Sequence, residues 1–382
     1  MKLALVISSL GGGGAERVMT LLANAWVHGG NEVTLITLAS GRRDAYALDP
    51  AVHRVALDVA GDSLHVLAAI GHNVVRVRAL RRAIAASTPD AVISFIAESN
   101  VRVLIATAGL RVPVIISERT FLNGHHMRGI WRWLRRWVYP RAAAVVAQTR
   151  RCAADLEAIV GRRVEVIANP VTLQPAATAV ASDMAASAER ARAGHTLLAA
   201  GRLAPEKGFD LLIEAFARVA ERHPDWHLVM LGEGPLRADL ERRIAGHDLV
   251  GRIAMPGFDP HVREAMRRAD LFVLSSRYEG FPNALLEAMA EGSACVSFDC
   301  DAGPRELIEH ARNGWLVPAG DVAALAAALD TLMHDAALRE RLGRCARGVT
   351  ATYALPAILR QWNALVESVL PRRSRPMEAL PR

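Results

Sequence analysis

Two glutamates, Glu279 and Glu287, are separated by seven residues in the run Glu279-Gly280-Phe281-Pro282-Asn283-Ala284-Leu285-Leu286-Glu287. Pro282 suits the first turn of a helix, where its missing N–H costs nothing and its fixed φ is already helical. Such an entrance presents backbone N–H groups around Asn283, Ala284 and Leu285 that no intrahelical carbonyl can take, and an anion is their natural partner. Glu279 falls before the turn and Glu287 inside the helix. The two carboxylates therefore address different parts of one extended ligand and do not pair as an acid–base dyad. The plainer reading is a carboxylate answering a helix dipole, followed by an ordinary helical glutamate.

A second run, Gly201-Arg202-Leu203-Ala204-Pro205-Glu206-Lys207-Gly208, also joins a strand to a helix. Arg202 and Lys207 can both point beyond the strand's carboxyl end. Two fixed cations there would neutralise a diphosphate and stabilise it as a leaving group. Two solvated surface charges are the alternative. Only two of the 46 basic residues are lysines, Lys2 and Lys207, which singles out Lys207. The third run, Gly11-Gly12-Gly13-Gly14 followed by Ala15-Glu16-Arg17, offers Gly13 and Gly14 for close backbone approach to a phosphate at a helix N-terminus. It carries no Walker lysine and is also compatible with a plain strand-to-helix turn.

These runs need a frame that aligns strand ends. In the first half, apolar runs rich in β-branched residues predict strands at Leu3–Ser8, Val33–Leu38, Ala91–Ile96, Pro113–Ser117, Ala143–Gln148 and Val164–Ile167. Helical patterns such as Glu16–Val27 and Asn100–Gly109 lie between them. After an Ala/Ser/Thr-rich stretch, strands recur at Thr196–Ala200, His227–Leu231, Arg252–Met255, Leu271–Leu274, Cys295–Phe298 and Trp315–Val317. Continuous apolar strands alternating with helices mean buried parallel sheets. The predicted class is α/β, with two doubly wound, Rossmann-like lobes at 1–170 and 194–354 joined by a linker at 171–193. A last helix at 355–370 would cross back to the first lobe, and residues 371–382 form a Pro/Arg-rich tail expected to be disordered. Ligands of such sheets bind beyond the strands' carboxyl ends.

Composition narrows the class. The 382 residues are 52% hydrophobic and 22% charged, enough for full cores. Cys152, Cys295, Cys300 and Cys345 form no CxxC pair, which argues against a disulfide framework or zinc site and for a reducing compartment. Lys2 and the short run Leu3–Ile7 lead into glycines, unlike a signal peptide, and no apolar run is long enough to span a membrane. A cytoplasmic protein, free or peripheral at a membrane, is expected. Residues 1–172 hold 21 Arg/Lys against 12 Asp/Glu, and the remainder 25 against 27, so the first lobe faces something anionic.

The glycine-rich first loop, the GRL…EKG run and the paired glutamates of EGFPNALLE together resemble glycosyltransferase family 4, the retaining enzymes of GT-B fold, across both lobes. The resemblance implies that Arg202 and Lys207 hold a donor diphosphate, Glu279 contacts the transferred sugar and Glu287 the ribose. It places the backbone around Gly257 and Phe258 near the base. It also implies retention of anomeric configuration without a divalent metal, and no other cofactor. Within the family, Val92-Ile93-Ser94-Phe95, Ile115-Ile116-Ser117-Glu118 and Trp131-Arg132-Trp133-Leu134-Arg135-Arg136 resemble bacterial transferases that extend lipid-linked oligosaccharides. Arg119 stands where many relatives carry histidine; it can donate hydrogen bonds to a sugar or phosphate but cannot act as a base.

The implied substrates are a UDP-sugar donor and a polyprenyl diphosphate-linked saccharide acceptor. Segment 119–141 carries Arg119, Arg128, Arg132, Arg135, Arg136 and Arg141 with no acid, interleaved with Trp131, Trp133, Trp137 and Tyr139. Arg132, Trp133, Arg136 and Trp137 are the composition of an anionic membrane contact, with aromatic core packing as the alternative. Arg76, Arg78, Arg81 and Arg82 are by resemblance candidates for the acceptor pyrophosphate, and equally read as solvated charge. Rival readings are a nucleotide-sugar 2-epimerase or inverting GT-B enzyme, and a non-catalytic basic module. No nucleic-acid motif is present, and no nucleic-acid partner is expected.

Overall fold

A strand such as Leu3-Ala4-Leu5-Val6-Ile7 is apolar on both sides, which a sheet tolerates only with helices on both faces. The computed structural model describes residues 1–60, 66–119, 129–172 and 194–371, with backbone alone for 43 and 66–70. The first lobe holds β1 (Lys2–Ile7), β2 (Glu32–Thr37), β3 (His53–Ala56), β4 (Ala91–Phe95), β5 (Val114–Ser117), β6 (Ala144–Ala147) and β7 (Glu165–Val166). They run parallel in the order β3-β2-β1-β4-β5-β6-β7, with Leu3 beside Val33 on one side and Ala91 on the other. The second lobe holds β8 (His195–Ala200), β9 (Trp226–Leu231), β10 (Ile253–Gly257), β11 (Leu271–Leu274), β12 (Cys295–Asp299) and β13 (Trp315–Pro318). Their order is β10-β9-β8-β11-β12-β13.

The α/β class with two parallel sheets is therefore as the sequence implies. The reading missed β3, an edge strand whose four residues are half or fully exposed and so lack an apolar run. Pro256 fits within β10 because that strand is an edge, and the pairing register shifts between Ala254 and Gly257. Most of the predicted linker (173–193) and tail (372–382) lie outside the described residues. Among the described residues no helix is long and apolar enough to cross a membrane.

Strand order reverses between β1 and β4 in the first lobe and between β8 and β11 in the second. Those reversals are where a doubly wound sheet leaves a crevice. The three chemistry-bearing runs follow β1, β8 and β11, so the topology itself brings them to the crevices.

The chain crosses between lobes twice. The crossings touch, because Val171 N–H donates to the Tyr353 carbonyl at 2.7 Å. Helix Leu355–Val369 then packs on the first lobe, burying Ile358, Trp362 and Val366, a stripe at four-residue spacing, beside Leu3, Leu5 and Trp26. The Trp362 ring lies 6.4 Å from Trp26, edge-on, and 5.7 Å from Phe95. Trp26 Nε1 donates to Asn363 Oδ1 at 2.7 Å. Replacing a fully buried tryptophan by alanine removes its transfer free energy and leaves a cavity, together about 3–5 kcal/mol. Trp362→Ala should therefore lower the unfolding free energy of the first lobe by that amount in a urea titration; an unchanged value would show the helix to be dispensable.

Candidate active site in the interlobe cleft

The loop after β8 is pinned to the loop after β11. Gly208 has φ +62°, and a Cβ there would sit 2.1 Å from the Ser275 carbonyl oxygen, so only glycine allows the contact. Ser275 Oγ donates to the Lys207 carbonyl at 2.9 Å, and Arg277 N–H to the Glu206 carbonyl at 2.8 Å. Arg277 also forks onto both oxygens of Asp210 at 2.8 and 2.7 Å, and these charge-assisted bonds hold the Asp210 carboxyl below its ordinary range. From this brace Lys207 Nζ reaches Glu279 Oε1 at 2.6 Å, and Ser276 Oγ donates to the same oxygen at 2.6 Å. Glu279 is buried at 7% exposure, so its charge is balanced by Lys207 and not by water. Cys300 packs nearby; burial first and the Glu279 charge second push its thiol up to about 12, leaving it neutral.

Helix Asn283–Glu291 starts directly after Pro282. The sequence expectation of free amides needs one correction: the Asn283 N–H donates to the Phe281 carbonyl at 2.9 Å, leaving the amides of Ala284 and Leu285 in the first turn. The side chains of Phe281 and Leu285 are buried in the second lobe's core, so any ligand contact they make is through backbone. Gly280 abuts the first lobe, its carbonyl 4.0 Å from the Cys152 thiol.

Between the lobes lies a cavity of about 390 Å³. Arg202, Phe258, Asn283, Ala284 and Glu287 line it from the second lobe, and Gly14, Arg17 and Tyr46 from the first. Arg202 is largely exposed and pairs with Glu206. Phe258 is 77% exposed beside Gly257, whose φ of +100° turns the chain outward after β10. The first lobe reaches across closely: a Cβ on Gly14 would lie 2.6 Å from Asn283 Nδ2. Gly13 precedes helix Gly14–His28 without a side-chain cap, and its carbonyl accepts from the Tyr46 hydroxyl at 3.2 Å. Glu287 is ion-paired with Arg17 across the cleft. Asn169 Nδ2 donates to Asn283 Oδ1 at 2.7 Å. A slot lined by cations, glycine backbone and a helix entrance, with a carboxylate at each end of the helix turn, suits a ligand carrying both phosphate and hydroxyl groups.

Residues 12–174 match the family model described as Glycosyltransferase Family 4, and residues 186–349 the one described as Glycosyl transferases group 1. The chain belongs to glycosyltransferase family 4. It is 28% identical, over 97% of its length and 99% of the relative's, to a Campylobacter jejuni α-1,4-N-acetyl-D-galactosaminyltransferase acting on a diphospho-undecaprenol-linked saccharide. A segment covering 48% of the chain is 38% identical to an exopolysaccharide phosphotransferase of Streptomyces coelicolor, of which it spans 20%. HepE of Anabaena, solved in complex with UDP, superposes with a TM-score of 0.79 at 20% identity, covering 96% of this chain and all of that one. Sucrose-phosphate synthase of Thermosynechococcus elongatus gives 0.82 at 19% identity, covering 96% and 98%. The fold is GT-B.

Arg119 of this family 4 chain does not line the cleft cavity. Its guanidinium stacks 3.5 Å over the Phe95 ring and donates to Asn169 Oδ1, at 8% exposure. Burial lowers its pKa to about 9, and its Nε and second NH2 group have no hydrogen-bond partner. Its link to the cleft runs through Asn169, which the sequence reading did not single out, to Asn283.

The basic residues divide. Arg81 is tied to the carbonyls of Ala106 and Ala108 at 2.8 and 2.7 Å, where it closes the end of helix Ala97–Ala106. Arg76 donates to the Val59 carbonyl at 3.0 Å. Both thus hold backbone carbonyls, Arg76 half-buried, while Arg78, Arg81 and Arg82 are exposed. Arg135, grouped in the sequence with the surface arginines, is buried 4.0 Å from Glu118, which also accepts from the Tyr139 hydroxyl at 2.9 Å. On helix Gly129–Val138, Ile130, Trp133 and Trp137 are more than half exposed, the two rings 5.9 Å apart, with Arg132 and Arg136 exposed between them. Trp131 instead faces inward under Arg102, at 4.5 Å. Arg128 lies outside the described residues. Among the described residues no cluster of three His, Cys, Asp or Glu converges as a metal site.

Asn169→Ala would leave Arg119 with a further unpaired buried donor, costing about 1–3 kcal/mol. The expected result is a matching fall in unfolding free energy, read by denaturant titration; equal stability would show that Asn169 does not carry the Arg119 charge.

Proposed function

We propose that this chain is a retaining transferase that moves a hexose or N-acetylhexosamine from a UDP-sugar to a saccharide carried on polyprenyl diphosphate. It works without a divalent metal or other cofactor, in the cytoplasm, as a peripheral protein at the inner face of the membrane. The observation that carries the reading is Lys207 set on Glu279 at 2.6 Å, on loops that also bring Arg202 and Glu287 to one cavity. In the reaction the bond between the sugar's anomeric carbon and the diphosphate oxygen breaks, and the electron pair goes to the diphosphate. Arg202 and Lys207 offset that charge, the task a metal would otherwise have. The acceptor hydroxyl bonds to the anomeric carbon and passes its proton to the departing diphosphate oxygen. Glu279 holds the transferred sugar and Glu287 the ribose. Membership of the family supports retention, and HepE with its bound UDP supports the choice of donor nucleotide.

Lys207→Ala and Glu279→Ala should each lower kcat on the order of 10²–10³-fold, with the far-ultraviolet dichroism unchanged. The wild-type control is run in EDTA, where transfer from a UDP-sugar to a diphospho-polyprenyl saccharide persists. Near-normal turnover in either variant, or loss of wild-type turnover in EDTA, would refute the mechanism.

The acceptor argument rests on Ile130, Trp133 and Trp137. They form one apolar stripe at helical spacing that no core covers, flanked by Arg132 and Arg136. Helix Gly129–Val138 and helix Val66–Ser87, with exposed Val74, Val75, Arg78 and Arg82, both pack against helix Ala97–Ala106. Apolar side chains among arginines suit the headgroup region of an anionic bilayer. The double change Trp133→Ala, Trp137→Ala should weaken sedimentation with phosphatidylglycerol vesicles roughly tenfold while leaving transfer to a soluble acceptor intact. Undiminished vesicle binding would remove this surface from the proposal.

A further inference from the structure

Arg17 breaks a local rule. It stands in the first turn of helix Gly14–His28, at the positive end of the helix dipole, where a cation is disfavoured. Residues that break a local preference without a packing reason concentrate at functional positions. Its partner is Glu287, 270 residues away on the facing lobe. The pair is partly open to the cavity, with side-chain exposures of 28% and 14%.

Glu287 has a second cation near it. Arg263, from its own lobe, lies within electrostatic reach of Glu287. Arg263 is itself anchored, 3.1 Å from Glu291 and bonded to the Thr172 carbonyl where the chain leaves the first lobe. Arg17 by contrast contacts Glu287 through one guanidinium nitrogen and one carboxylate oxygen. The contact can be released without stranding a buried charge.

We infer that Arg17 is a positioning residue that donor binding displaces: it competes with the nucleoside's hydroxyls for the Glu287 carboxylate and ties donor entry to movement of the lobes. This rests on the reading of Glu287 as the ribose contact. A vicinal diol donates to both oxygens of a carboxylate, so Arg17 must withdraw from the oxygen it holds. The released guanidinium remains at the cavity wall with Gly14, on the side from which the first lobe closes. The pair thus holds the lobes together before the donor arrives and yields to it afterwards.

The test uses the full-length chain and UDP as probe. Calorimetric titration of Arg17→Met should show UDP binding about fivefold tighter than wild type, because the competitor is gone while Glu287 keeps Arg263. The KM for the UDP-sugar should fall with it. Arg17→Lys, which keeps a point charge, should lie between the two. Small-angle scattering of Arg17→Met without nucleotide should give a larger radius of gyration than wild type. If the wild type binds no UDP, the donor reading fails and this inference with it. If the wild type binds UDP but Arg17→Met binds equally or more weakly, the inference alone is overturned.

Discussion

A lysine and a glutamate meet on two loops that neighbouring parallel strands must bring together, and the rest of the cleft is arranged around that contact. Lys207 and Glu279 are 72 residues apart, yet β8 and β11 are adjacent, so their carboxyl-end loops have no other place to go. The bond would be worth little on a surface. Here the carboxylate is buried, and a buried carboxylate left alone is costly enough to shift or neutralise. The surrounding brace of Gly208 on Ser275, Arg277 on Asp210 and Ser276 on Glu279 keeps the two charges at one separation. Flexible side chains on loops become in this way a fixed electrostatic arrangement, which preorganised charge stabilisation requires.

Much of this was legible from residue order because it is local. Strand periodicity, the glycine and proline punctuation and the placement of each cation or carboxylate just after a strand all concern windows of about a dozen residues. The topology of alternating strands and helices then sets which loops share a crevice. What escaped is long-range. Arg17 with Glu287, and Asn169 with Asn283, join residues separated by 270 and 114 positions, and nothing in either segment names the other. Arginine was read poorly for a different reason. Arg119 and Arg135 are tied to an aromatic face and a buried carboxylate, and composition cannot separate such structural guanidinium groups from those that face solvent. In a chain where arginine supplies nearly all the positive charge, counting charges overstates the basic surface.

The two lobes meet through contacts of unlike kinds. Gly14 lies against Asn283 by shape, Asn169 joins Asn283 by a neutral hydrogen bond, Glu306 of the second lobe accepts the Arg150 N–H at 2.7 Å, and Arg17 joins Glu287 by charge. Each single contact is small beside the buried cores of the lobes, so relative motion costs far less than unfolding. A cleft held by a few replaceable polar contacts is suited to opening and reclosing within a catalytic cycle.

The way Trp362 completes the first lobe bears on how the polypeptide is made. Residues 355–369 leave the ribosome after the entire second lobe, yet they cover one face of the first sheet beside Trp26 and Phe95. Until they emerge, that face exposes apolar surface to water and to chaperones. The amino-terminal lobe is thus begun first and finished last, and a nascent chain halted anywhere before the terminal helix carries a sticky, half-clad sheet.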